Sequence, residues 1–107
     1  MRSSMFVLAA TAVSSALAAS FTVDFFDGKN ECSGDSKSTE IDFGSDVFKC
    51  VEANGIGVLQ VSGEDLNECG PFYSDSNCNT VMVGSEPFAC DSCIGYSNAW
   101  FIVEQEL

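Results

Sequence analysis

Six cysteines occur in this chain, at positions 32, 50, 69, 78, 90 and 93, and all lie downstream of Ala18. An even number of cysteines in so short a stretch constrains the fold more than any other feature. A domain of this size buries too little apolar surface to offset chain entropy comfortably. Covalent cross-links supply what the core lacks, each contributing about 2–4 kcal/mol. The spacing therefore predicts three disulfides drawn from Cys32, Cys50, Cys69, Cys78, Cys90 and Cys93, with fifteen possible connectivities.

Two other uses of cysteine are weaker. Cys90-Asp91-Ser92-Cys93 has the CxxC spacing of redox enzymes, but no strand–helix pattern surrounds it. Cys69-Gly70-Pro71 opens like a thioredoxin motif, yet Phe72 stands where the second cysteine is needed. A zinc site calls for two paired ligand sets, and the chain has one CxxC and no histidine. No metal and no cofactor is expected.

The first twenty residues read as an address. Arg2 is followed by the apolar stretch Met5 to Val13, and Ala16-Leu17-Ala18 offers small residues at both positions that signal peptidase inspects. Ser14 and Ser15 interrupt the apolar stretch before it is long enough to span a bilayer. The expected organisation is a signal peptide over 1–18 and one secreted cysteine-rich β domain over 19–107. The domain is expected outside the cell as a monomer, without membrane insertion.

Charge narrows the partners. Four Lys and Arg stand against 16 Asp and Glu, a formal net charge of −12, and histidine is absent. A phosphate-binding surface needs clustered cations, so nucleic acid is excluded as a partner. Anionic membranes are disfavoured on the same ground. Without histidine no Ser-His or Cys-His pair can be assembled, and the chain is not expected to be an enzyme. Glu64, Asp65 and Glu68 form the densest acidic cluster, which reads as a solvated face.

Periodicity points to short strands. Phe21, Val23 and Phe25 alternate with Thr22 and Asp24; Ile41 and Phe43 flank Asp42. Further runs are Val47 to Val51, Ile56 to Val61, Val81 to Val83 and Trp100 to Val103. Asn54-Gly55 has the residues of a type I′ hairpin turn. Many short strands with frequent turns predict an all-β protein of Greek-key sandwich type.

An internal echo links Phe25-Phe26-Asp27-Gly28-Lys29-Asn30-Glu31-Cys32 with Phe72-Tyr73-Ser74-Asp75-Ser76-Asn77-Cys78. Symmetry between the two units suggests the pairing Cys32–Cys50, Cys78–Cys90 and Cys69–Cys93. Neighbours on a strand point to opposite faces, so one member of Phe25-Phe26, Phe72-Tyr73 and Trp100-Phe101 must leave the core. Phe26, Tyr73 and Trp100 are the candidate partner-contact residues.

These aromatic-aromatic-polar strands resemble the βγ-crystallin-like Greek-key fold. The FYSDSNC turn and the late Trp100 resemble cysteine-rich small secreted proteins of filamentous fungi. The resemblance spans most of residues 21–103. The crystallin calcium motif is missing, its nearest approach being Asp35-Ser36-Lys37-Ser38-Thr39, which lacks the acidic pair. The fold is one that yeast killer toxins and bacterial protease inhibitors share, so it implies no single activity. The resemblance, with the signal peptide, the three bridges, the small size and the lack of a catalytic set, implies a non-enzymatic effector-type protein acting on a host protein in virulence. The alternative is a killer-toxin-like antimicrobial protein acting on competing microbes.

Overall fold

The computed structural model describes residues 19–106, and the expected signal peptide over 1–18 lies outside them. Among the described residues there are five strands and no helix. They are β1 (Ser20–Asp27), β2 (Lys37–Asp42), β3 (Phe48–Ser62), β4 (Leu66–Tyr73) and β5 (Ile94–Gln105). They form one antiparallel sheet in the order β2-β1-β3-β5-β4. The protein is all-β, as its periodicity predicts, but a single continuous sheet encloses the core.

That enclosure depends on a bend at the middle of the two longest strands. Ala53 pairs with Ala99 and Ile56 with Ser97, so Asn54 and Gly55 face the single residue Asn98. Gly55 (φ 94°) and Asn98 (φ 44°) both adopt the left-handed conformation that glycine and asparagine tolerate best. The Gly55 N–H donates to Asn98 Oδ1 at 2.8 Å, which holds the bulge. Two residues opposite one bend a strand and sharpen its twist. The bulge also shifts the phase of β5: Ala99, Phe101 and Val103 face inward beyond it, but Tyr96 before it. Asn54-Gly55 is therefore not a hairpin turn. The local signal for positive φ is correct at Gly55, but the pairing partner is Asn98 of a distant strand.

Because of the bend, one apolar cluster draws on β1 (Phe21, Val23), both halves of β3 (Val51, Ala53, Leu59, Val61), β4 (Cys69) and β5 (Tyr96, Phe101, Val103). Phe43, just past β2, completes it and packs against Phe21 with ring centroids 5.0 Å apart. Each such side chain, fully buried, stabilises the fold by about 1.5–3 kcal/mol. Beyond β4 the chain seals the sheet edge. Met82 N–H donates to Phe72 O at 2.9 Å and Phe88 N–H to Cys69 O at 2.9 Å. Val81 makes an isolated bridge to Tyr73 and Val83 is fully exposed, so 81–83 is edge cover and no strand of its own. β4, which carries Glu68, occupies a stretch whose apolar pattern is broken by Gly70-Pro71.

The disulfides are Cys32–Cys93, Cys50–Cys78 and Cys69–Cys90, and no described cysteine is free. All three differ from the pairing suggested by the internal echo. Strand order explains each. Cys93 immediately precedes Ile94, which pairs with Leu59, and Cys32 Sγ sits 3.6 Å from Leu59 O. Cys50 lies on the outer side of β3, and the loop after β4 crosses β5 to meet it. Cys90, the first cysteine of the Cys90-Asp91-Ser92-Cys93 motif, joins buried Cys69, so the two cysteines of that motif serve separate bridges. Three disulfides in so small a protein are compatible with an extracellular location.

Candidate functional site on the outer face of the sheet

The side chains that alternate away from the core on β3 and β5 form an outer face. On β3 these are Phe48, Cys50 and Glu52; on β5 they are Trp100, Ile102 and Glu104. Strand register arranges them in rows. Glu52 pairs with Trp100, and Trp100 with Tyr73 of β4. Cys50 pairs with Ile102. Phe48 pairs with Glu104, and Glu104 with Glu68 of β4. Directly opposed side chains lie about 4.5–5.5 Å apart at Cβ, so each row is in mutual contact range.

Tyr73 and Trp100 are thus neighbours, and both are half-buried. Neither ring enters the aromatic pairs of the core, which join Phe72 to Phe88, Phe72 to Phe101 and Phe25 to Tyr96. Phe48 is 56% exposed, an unusual position for a phenylalanine on a five-stranded sheet. Its part in the site went unread because it sits outside the adjacent aromatic pairs. The alternation Phe48/Cys50/Glu52 against Lys49/Val51/Ala53 is the signal that marks it.

Phe26, the third candidate contact, is not available to a partner. It is 6% exposed and pairs with Val58, 9% exposed, on the side of the sheet away from the main core. The loops joined by Cys32–Cys93 lie along this part of β3: Gln60 Nε2 donates to Asp91 O at 2.8 Å, beside the Cys32 contact with Leu59. The rule that one of two adjacent aromatics leaves the main core holds, but Phe26 is still buried, beside Val58.

The loop from Ser74 to Thr80 crosses the outer face and is rigidly built. Asp75 accepts the backbone N–H groups of Thr80 at 2.8 Å and Asn79 at 3.0 Å. The Thr80 amide above all holds the Asp75 carboxyl below its ordinary value, outweighing the desolvation that opposes it. Ser74 N–H donates to Thr80 O at 2.9 Å, and Cys78 is anchored to Cys50. The loop passes between the Glu52–Trp100–Tyr73 row and the Phe48–Glu104–Glu68 row.

Electrostatically the outer face is one-sided. Lys49 points the other way along β3 and is paired with Asp46 at 2.8 Å. Lys29 Nζ donates to Ser33 O and Asp35 O. Glu68 and Glu104 face each other without a cation between them; Glu104 has only an Asn67 amide, at 3.2 Å. Like charges directly opposite are destabilising.

Two clefts open in the fold. One of about 680 Å³ lies between the 82–88 segment and the concave face, with Phe72, Phe88, Ile94 and Tyr96 among its walls. Tyr96 and Ala99 of its lining are themselves buried. The second, about 560 Å³, is lined by Asp27, Lys29, Lys37, Glu52 and Tyr96 among others, so it adjoins the Glu52 end of the outer face. The Tyr96 hydroxyl donates to Asp27 Oδ1 at 2.8 Å there, and burial, reinforced by that carboxylate, pushes its pKa up to about 12. Glu64, Asp65 and Glu68 do not converge: Asp65 sits in a turn and Glu68 on β4. Among the described residues no group of three or more His, Cys, Asp or Glu side chains is placed to hold a metal ion.

No protein-family model, no curated protein and no solved structure matches this chain.

Proposed function

We propose that this chain is a secreted, non-enzymatic interaction protein of the effector type that fungi release toward a host, and that it binds a host protein through its outer face. The observation that carries the reading is the pairing of Tyr73 with Trp100, half-exposed beside the strapped 74–80 loop. Aromatic anchors on a rigid, water-exposed sheet are the residues that dominate protein–protein binding energy. Disulfide engagement of every described cysteine and the lack of histidine leave the chain without the usual nucleophile–base pairs. The signal peptide over 1–18 and the βγ-crystallin-like Greek-key kinship belong to the same proposal and rest on the residues quoted for them.

The test is cross-linking of oxidised residues 19–107 to host surfaces and extracts at low salt, in parallel with W100A and Y73A. Saturable capture that both substitutions reduce by tenfold or more, about 1.4 kcal/mol or above each, supports the reading. Capture unaffected by W100A removes the site. A growth-inhibition series against yeast, filamentous fungi and bacteria runs alongside. Inhibition that disappears on reduction and alkylation would replace the host-directed reading with the killer-toxin-like one.

A further inference from the structure

We infer that the outer face accepts a basic protein segment, with one arginine or lysine seated at each of the two rows that flank the Cys50–Cys78 bridge. This deepens the interaction reading above and rests on it. The argument begins with what each row presents. In the first, Glu52, Trp100 and Tyr73 stand side by side, a carboxylate next to two aromatic rings. In the second, Phe48, Glu104 and Glu68 stand side by side, an exposed ring next to two carboxylates. An aromatic face with an adjoining carboxylate suits a guanidinium or ammonium group, which is attracted by both the ring quadrupole and the charge.

Charge complementarity favours this occupant over an apolar or acidic one. Lys49, the cation nearest in sequence, is engaged by Asp46, and Lys29 donates to loop carbonyls. The Glu68–Glu104 opposition costs stability in the free protein, and an incoming cation between them relieves it. A second copy of this chain is a poor occupant, because its net charge of −12 repels its own kind. The two rows lie four residues apart along β3, about 13 Å at roughly 3.3 Å per residue. Basic residues at i and i+4 of an extended segment match that separation, and the 74–80 loop, anchored by the Cys50–Cys78 bridge, stands between the two seats.

Trp100 is the single tryptophan, so intrinsic fluorescence reports on the first row directly. The experiment titrates oxidised residues 19–107 with a synthetic peptide, Arg-Gly-Ser-Gly-Arg with blocked ends, and with the same peptide carrying glutamate in place of arginine. A saturable change with the arginine peptide, weakened about fivefold or more between 20 and 200 mM salt, is expected. The glutamate peptide should produce none. E52Q and the double variant E68Q/E104Q should each weaken the arginine peptide about fivefold, whereas D91N, away from the outer face, should not. E68Q/E104Q should also melt no lower than the parent, since it removes a repulsion, which separates lost binding from lost folding. A response that is equal for both peptides, or unchanged by E52Q and E68Q/E104Q, overturns the inference. If the peptide fails while a W100A-sensitive protein partner is captured, only the chemistry assigned to the partner falls. If W100A leaves capture intact, the site itself falls.

Discussion

Loop length and burial rank the disulfides in opposite orders, which makes their removal a test of what holds this fold. Cys50–Cys78 has a sequence separation of 28 and Cys69–Cys90 one of 21. Chain entropy alone makes the first worth about 3.6 kcal/mol and the second about 3.3 kcal/mol. Cys69, however, is fully buried in the core cluster, and Cys50 is exposed on the outer face. Replacing Cys69 and Cys90 with alanine empties the space of their sulfur atoms, adding about 1–2 kcal/mol for lost contacts and cavity. C69A/C90A should therefore lose about 4–5 kcal/mol, and C50A/C78A about 3–4 kcal/mol despite its longer loop. The assay is urea unfolding of oxidised residues 19–107, with the two remaining bridges verified by peptide mapping. Free energies must be compared and not midpoints, because an uncrosslinked unfolded chain exposes more surface and raises the slope. A loss for C50A/C78A equal to or above that of C69A/C90A refutes the argument that burial outweighs loop length here.

Three further outcomes are expected. The Tyr96 hydroxyl titrates at about 12 in the fold and near 10 in the unfolded chain, so its contribution is full below pH 10 and lost as pH rises to about 12; thermal melts of the parent should fall across that window more steeply than those of Y96F. Gly57→Ala places a Cβ 2.4 Å from Phe26 O and should cost about 1–3 kcal/mol or more, whereas Gly95→Ala, whose nearest atom is 3.9 Å away, should stay within about 0.5 kcal/mol of the parent in the same melt. Asn98→Ala removes the 2.8 Å bond to Gly55 and leaves an alanine at φ 44°, so it should cost about 1–3 kcal/mol by urea unfolding, and Asn98→Gly should cost less because it keeps the backbone unstrained.

What was legible in the sequence is what neighbours in the chain decide among themselves. Period-two alternation marks β1 at Phe21, Val23 and Phe25, and the late strand at Trp100 to Val103, because side-chain direction depends only on local backbone geometry. The need for three bridges follows from chain length and cysteine count. Positive φ at Gly55 follows from the glycine itself. Tyr73 and Trp100 were legible as outward aromatics, since each has an inward neighbour in Phe72 and Phe101.

The tertiary structure decided everything that depends on which strand lies beside which. Insertion of β5 between β3 and β4 turned Asn54-Gly55 from a hairpin signal into a bulge opposite Asn98. Tertiary assembly also set the disulfide pairings, since each bridge ties a loop to a strand or to another loop that the chain places far away. β4 escaped detection because Gly70-Pro71 interrupts its pattern, and only the hydrogen-bonding edge of β5 makes it a strand. Phe26 is buried beside Val58, while Phe48, Glu68 and Glu104 entered the candidate site because register placed them in one row. The physical reason is the range of the forces involved. Torsional and steric preferences act over a few residues and are written in the local sequence, whereas pairing and burial are settled only when the whole sheet assembles.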